Sequence, residues 1–254
     1  MVSTQGYTKL TPLLSTVILF AIAQVGSQQI LADEINPGLH SSTSNPYGIP
    51  FTDWTAKWWQ WFIEIPNSQQ PFADATGEKC STNQGGPVWY LLGAAGKVER
   101  TCTIPSDKAI LFPILDTECS YSESPSLKTE EDLRKCAVDA NKDAILKASV
   151  DNREIKDVDK YRVTSRIFNV TYPSDPVFPT NSNFSQAVSD GWFIFLEPLK
   201  PGEHEIKFSA SQIGGPTTAE STAVDVTYHL TIKESAMSLG NPILSKKSKN
   251  YKVN

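Results

Sequence analysis

Along residues 224–233 apolar and polar side chains alternate without a break. Val224, Val226, Tyr228, Leu230 and Ile232 fall on one side, and Asp225, Thr227, His229, Thr231 and Lys233 on the other. A period of two places successive side chains on opposite faces of a strand, so this segment predicts a sheet with one wet face. Residues 161–172, 191–199 and 203–211 read as strands too, separated by turn-forming residues. Within 191–199 the run Trp192-Phe-Ile-Phe-Leu196 is apolar at every position, which predicts a strand covered on both faces. Three shorter runs, 88–92, 97–104 and 109–115, add strands in the first half. Pro113 inside the last of these predicts an edge position or a break, because proline has no N–H to give to a ladder.

Two segments carry the helical period instead. The stretch Thr52 to Ile65 holds four of the six tryptophans, and Pro50 and Pro66 bracket it. At 100° per residue, Trp54, Trp58, Trp61, Phe62 and Ile65 fall within an arc of about 100°, a core-facing stripe, while Lys57, Gln60 and Glu64 form the wet face. Residues 129–147 form the second predicted helix. Thr129 and Asp132 make a capping-box pattern, and Leu133, Ala137, Ala140, Ala144 and Ile145 form its stripe.

About seven strands with two helical insertions predict a mainly β chain, an immunoglobulin-like or jelly-roll-type β-sandwich. The segment LKPGEHEIKFSA followed by VDVTYHLTI resembles the last two strands of immunoglobulin-like extracellular domains. That resemblance covers about 35 residues and implies a fold rather than a function. The expected organisation is a signal peptide over 1–32, an irregular lead-in over 33–50, a single domain over 51–235, and a basic disordered tail over 236–254.

Composition and charge narrow the setting. Lys9 precedes an apolar run from Leu13 to Ala23, and small-residue cleavage sites follow. This is the order of a secretory signal, too short to span a bilayer comfortably, so a secreted protein with no stable membrane insertion is expected. All 28 acidic residues lie between 33 and 235, and the last nineteen residues carry four lysines and no acid. An acidic body argues against nucleic acid as a partner. Four cysteines in an exported chain predict two disulfides. The sequential pairing Cys80–Cys102 and Cys119–Cys136 is favoured because each closes a modest loop flanked by short elements. Zinc would need close cysteine pairs, and there are none.

Candidate chemistry is sparse. Trp59 and Ile63 lie off the centre of the helical stripe and widen its apolar arc to roughly 200°. Either the 67–87 loop or the lead-in covers them, or they form an exposed platform for a neutral glycan or a protein surface. His40 lies in the lead-in. His204 and His229 fall on adjacent strands, where Glu203 or Asp225 could join them about a metal, but solvated histidines are commoner and no metal is expected. Asp139, Asn141 and Asp143 have the opening spacing of a calcium loop, but Ala144 and Val150 stand where its glycine and glutamate belong. No motif for a nucleophile, a metallohydrolase or a phosphate loop occurs, and no cofactor is expected. Asp74, Asp116, Glu118 and Asp190, read as loop carboxylates, could pair as in a glycoside hydrolase. Asn169-Val-Thr171 and Asn183-Phe-Ser185 match the N-glycosylation acceptor pattern. The leading expectation is a non-catalytic carbohydrate- or surface-binding protein with Trp59 and Ile63 at its site. The alternatives are a secreted hydrolase and a structural cell-surface subunit.

Overall fold

The structure is a computed structural model that describes residues 36, 38–142, 144–212 and 224–235. The signal-like segment and the basic tail lie outside the described residues.

A long antiparallel pair forms the spine. Strand β3 (Ala109–Ser120) runs against β8 (Phe184–Leu196), from Ile110↔Leu196 to Ser120↔Ala187. Strands β1 (Val88–Tyr90), β6 (Arg162–Thr164) and β7 (Phe168–Thr171) complete this first sheet. The second sheet has the order β2 (Gly96–Pro105), β10 (Val224–Lys233), β9 (Gly202–Gln212), β4 (Ala144–Val150) and β5 (Arg153–Glu154).

The alternating pattern decides how the layers stack. Trp192, Ile194 and Leu196 of β8 join Ile110, Phe112 and Ile114 of β3 in a core shared with Ile206, Phe208, Val226, Tyr228 and Leu230 of the second sheet. Phe193, Phe195, Ala109 and Leu111 point the other way, into a second core with helix α1 (Phe51–Glu64). The fold is therefore a β-sandwich with a helix laid over one outer face, and the all-apolar run 192–196 is covered on both sides as its composition predicts. The wet face of β10 is also where the alternation places it.

Pro113 lies inside the spine, at a register shift between Pro113 and Leu115. Strand β1 accompanies β3 only from Ala109 to Leu111. That edge of β3 is open by residue 113, so the missing N–H breaks no ladder there.

The second helix is shorter than its stripe suggests. Helix α2 spans Glu130–Ala140, opened by the Thr129–Asp132 capping box. Leu133 and Ala137 are buried against Cys119 and Val188, but Ala140 is exposed. Asn141 ends the helix, its Nδ2 donating to the carbonyls of Ala137 and Asp190. Ala144 and Ile145 then belong to β4, which pairs with β9, so the expected extent of 129–147 is corrected at its C-terminal end. Pairing along a whole strand overrides a weak helical period.

Where they are described, residues 36–50 are irregular but tied to the sandwich. Asn36 donates to the Lys156 carbonyl and accepts from its amide, and His40 N donates to the Phe195 carbonyl. Leu39 bridges to Leu196 and enters the inter-sheet core. Disulfides join Cys80 to Cys102 and Cys119 to Cys136, the sequential pairing. The first fastens the 74–86 loop to β2, and the second fastens α2 to the end of β3.

Candidate functional site

Helix α1 dominates the outer layer, and its tryptophans do different jobs. The Trp58 indole donates to the Leu91 carbonyl at 3.0 Å and stacks on Phe62 at 5.5 Å. Trp54 donates to Pro46 O at 2.9 Å and Trp61 to Thr82 O at 3.1 Å. All three are buried.

Trp59 and Ile63 are buried as well, at 6% and 0% exposure. They share the helix-side core with Val163, Val170 and Tyr172, and Val177 and Phe178 pack against that cluster. The exposed platform expected of them is corrected accordingly. The apolar arc is wide because β6, β7 and the segment after β7 add apolar side chains to the cluster that receives the helix.

The remaining polar strip of α1 borders a groove of about 700 Å³. Lys57, Gln60 and Glu64 line one side, the edges of Trp54 and Trp61 lie between them, and Tyr47, Tyr90 and residues 83–87 close the rest. The volume falls within the range of small-ligand sites. Gln84 holds the 83–87 wall by acting as a surrogate strand. Its Nε2 donates to Tyr90 O at 2.8 Å and to Cys80 O at 3.0 Å, while its Oε1 accepts from Tyr90 N at 2.9 Å. At the opposite rim, Tyr47 has φ +54° and is 48% exposed, with its ring 6.2 Å from Trp54. Tyr90 lies 5.3 Å from Trp61.

Both groove phenols stay protonated at neutral pH. Burial pushes Tyr90 well above the ordinary phenol value, and burial followed by the charges of Glu197 and Asp107 raises Tyr47. One cation, Lys57, and one anion, Glu64, border the space. The groove therefore offers the exposed Tyr47 ring, aromatic edges, neutral hydroxyls, amides and a balanced pair of charges. Sequence reasoning placed Lys57, Gln60 and Glu64 on the wet face but missed Tyr47 and Tyr90. The aromatic-polar mix of Asn45–Pro50 and the turn-rich Asn83–Pro87 were the signals available.

The four candidate carboxylates do not converge. Asp74 caps its own loop, accepting from Thr76 N at 2.9 Å and Lys79 N at 2.7 Å; burial pushes its pKa up, but these donors outweigh it and hold the carboxyl low. Asp116, Glu118 and Asp190 lie in strands rather than loops. Asp190 is buried against Arg162, which donates from Nη2 at 2.7 Å and Nε at 2.9 Å, and Thr164 adds a third donor. Asp190 pairs across the ladder with Thr117, whereas Glu118 pairs with Ser189, so the two acids project to opposite faces. Burial raises Asp116 well above the carboxylate range. Burial, then the charge of Glu123, pushes Glu118 up to about 9.

The histidines also stay apart. His40 packs edge-on against Phe195 at 4.9 Å. His204 contacts Asp151 at 2.7 Å and the Lys200 carbonyl at 2.9 Å. His229 pairs in register with Glu205, one residue along from His204, and so faces the other side of the sheet. Asp139 forms ion pairs with Lys135 and Lys142, and Asn141 is committed to its cap, while Asp143 lies outside the described residues.

No protein-family profile and no curated protein matches this chain. One solved structure is similar at low level, the crystal structure of the cysteine protease inhibitor EhICP2 from Entamoeba histolytica. It shares 14% identity over 59% of this chain and all of that one, with a TM-score of 0.23. A likeness that slight carries no argument about fold or function.

Proposed function

We propose that the chain is an exported, non-catalytic binding protein that takes a neutral carbohydrate in the groove beside α1. The observation that supports this reading is the lining of that groove. Sugar rings present apolar C–H faces and a fringe of hydroxyls. Tyr47 and the edges of Trp54, Trp61 and Tyr90 suit the first, and neutral phenols, Gln60 and Asn83 suit the second. Lys57 and Glu64 offset each other, so the site has no net pull on an anion. Two disulfides fit an oxidising compartment, and no described helix is long and apolar enough to cross a membrane.

A glycan array followed by titration calorimetry tests the reading. Affinity should change little between low and moderate salt, because no counterions are released on binding a neutral ligand. Tyr47→Ala should weaken binding by about 1–3 kcal/mol with the melting temperature nearly unchanged, as for a hot-spot aromatic on an exposed rim. Binding that Tyr47→Ala leaves untouched would move the site elsewhere, and steep salt dependence would implicate the lysines of the tail.

A further inference from the structure

On the α1 side of the first sheet, the far end of the spine carries buried oxygens left without hydrogen-bond partners. Glu118 is 9% exposed, and neither of its carboxylate oxygens makes a hydrogen bond. Ser189 sits directly opposite in the ladder, fully buried, and its hydroxyl also lacks a partner. Directly paired residues share a face with their Cβ atoms about 5 Å apart, so the hydroxyl and the carboxylate open onto the same side of the sheet without bonding each other. The turn after β3 folds back through Ser124 N to Ser120 O and brings Glu123 beside Glu118.

The side-chain polar groups that act on this pair are oxygens. Tyr172 donates to Glu123 Oε1 at 2.7 Å, and its own oxygen lies 2.8 Å from Ser120 Oγ. Ser120 Oγ accepts from Glu123 N at 3.3 Å. The groups that act on the two carboxylates are each other, Ser120 and Tyr172, with no lysine, arginine or histidine among them. Two acids in contact, largely removed from water and lacking a counter-charge, are an expensive arrangement. A shared proton would relieve the repulsion but would leave most of the lone pairs unmet, including that of Ser189.

We propose that Glu118, Glu123, Ser120 and Ser189 hold a hard divalent cation, with calcium the best fit. No three His, Cys, Asp or Glu side chains converge on a common position among the described residues. The donor set is therefore two carboxylates completed by hydroxyls and water. An oxygen set without nitrogen or sulfur disfavours zinc and copper. Its irregular arrangement suits calcium, which tolerates variable geometry, better than magnesium, which demands a near-ideal octahedron. Tyr172 acts as a positioning residue, fixing Glu123 through its hydroxyl. The ion ties the turn after β3 to the spine.

The test uses the full oxidised chain, stripped with a chelator, then melted and titrated with calcium chloride up to about 10 mM, with magnesium chloride in parallel. The melting temperature should rise and saturate with calcium. One site should fill with a half-point between roughly 10 µM and 1 mM, and magnesium should bind at least about tenfold more weakly. Glu118→Gln should abolish the shift while melting close to the stripped wild type, since it keeps the side chain's shape and removes only the ligand charge. Ser189→Ala, a smaller change that keeps the charges, should weaken calcium several-fold and serves if Glu118→Gln does not fold. A melting temperature indifferent to both cations overturns the proposal and leaves protons as the groups that quiet the pair. A calcium shift that survives Glu118→Gln and Ser189→Ala overturns it as well.

Discussion

His204 carries the pH dependence that can be traced to one ring. It lies on β9, with Asp151 at 2.7 Å on one nitrogen and the Lys200 carbonyl at 2.9 Å on the other. Burial lowers its pKa, but the bonds to Asp151 and the Lys200 carbonyl, with the charges of Asp151 and Glu203, outweigh that and raise it above the ordinary 6.5. A raised value means that the folded state holds the proton more tightly than the unfolded chain does. The stabilisation is then complete below about 6.5 and is lost as pH climbs through the raised value. His204→Gln should therefore cost most near pH 5.5 and least on the alkaline side, with the two proteins' melting temperatures converging as pH rises. A gap independent of pH would mean that the ring contributes packing alone. Arg100 is the opposite kind of residue, buried and donating to the carbonyls of Phe72, Asp74, Leu92 and Gly93 and the hydroxyl of Tyr228. Nothing in the sequence marks it as a buried hub, because no local pattern announces five acceptors drawn from two loops and the neighbouring strand β10.

Helix α1 shows how far an element's periodicity reaches. Its stripe identified Trp54, Trp58, Trp61, Phe62 and Ile65 as core, and all are buried. The fate of Trp59 and Ile63 depended on what lay over them, which a helix cannot encode in its own residues. With both tryptophans buried, Trp58→Ala and Trp59→Ala should each cost about 3–5 kcal/mol in denaturant melts. Phenylalanine separates them. Trp58 donates to Leu91 O, whereas the sealed Trp59 Nε1 has no partner. Trp58→Phe leaves a carbonyl unmet and loses a hydrogen bond, so it should cost about 1 kcal/mol more than Trp59→Phe, which removes a donor already unsatisfied. Equal losses would indicate a hydrogen bond or water at Trp59. The boundary between α2 and β4 failed for a related reason. Asn141 ends the helix through a contact with Asp190 O, 49 residues along the chain.

At the scale of the molecule, the strand pattern exposed both sheets' apolar faces and the doubly covered β8, so the layered sandwich was legible. The parallel partnership of β10 with β2, from Val224↔Gly96 to Lys233↔Pro105, was not, since alternation fixes which face is buried but not which neighbour pairs. The groove was illegible for the same reason: Tyr47, α1, residues 83–87 and Tyr90 meet only after folding. Its wall nevertheless has a covalent anchor that the cysteine spacing suggested. Cys80–Cys102 closes 22 residues of sequence and Cys119–Cys136 closes 17, so in the chain-entropy model each contributes roughly 3 kcal/mol. Their removal should therefore reduce stability to a similar degree. Their effects on binding should differ. Gln84, which holds residues 83–87, donates to the carbonyl of Cys80 itself, so releasing that residue from β2 frees the groove's wall. Cys136 lies on α2, which borders no part of the groove. The double variant Cys80→Ser/Cys102→Ser should lose affinity for the array-identified glycan by about tenfold or more, while Cys119→Ser/Cys136→Ser should keep it within about twofold, both measured well below their melting temperatures. Affinity lost equally in the two variants would show that binding follows global stability rather than the preorganised wall.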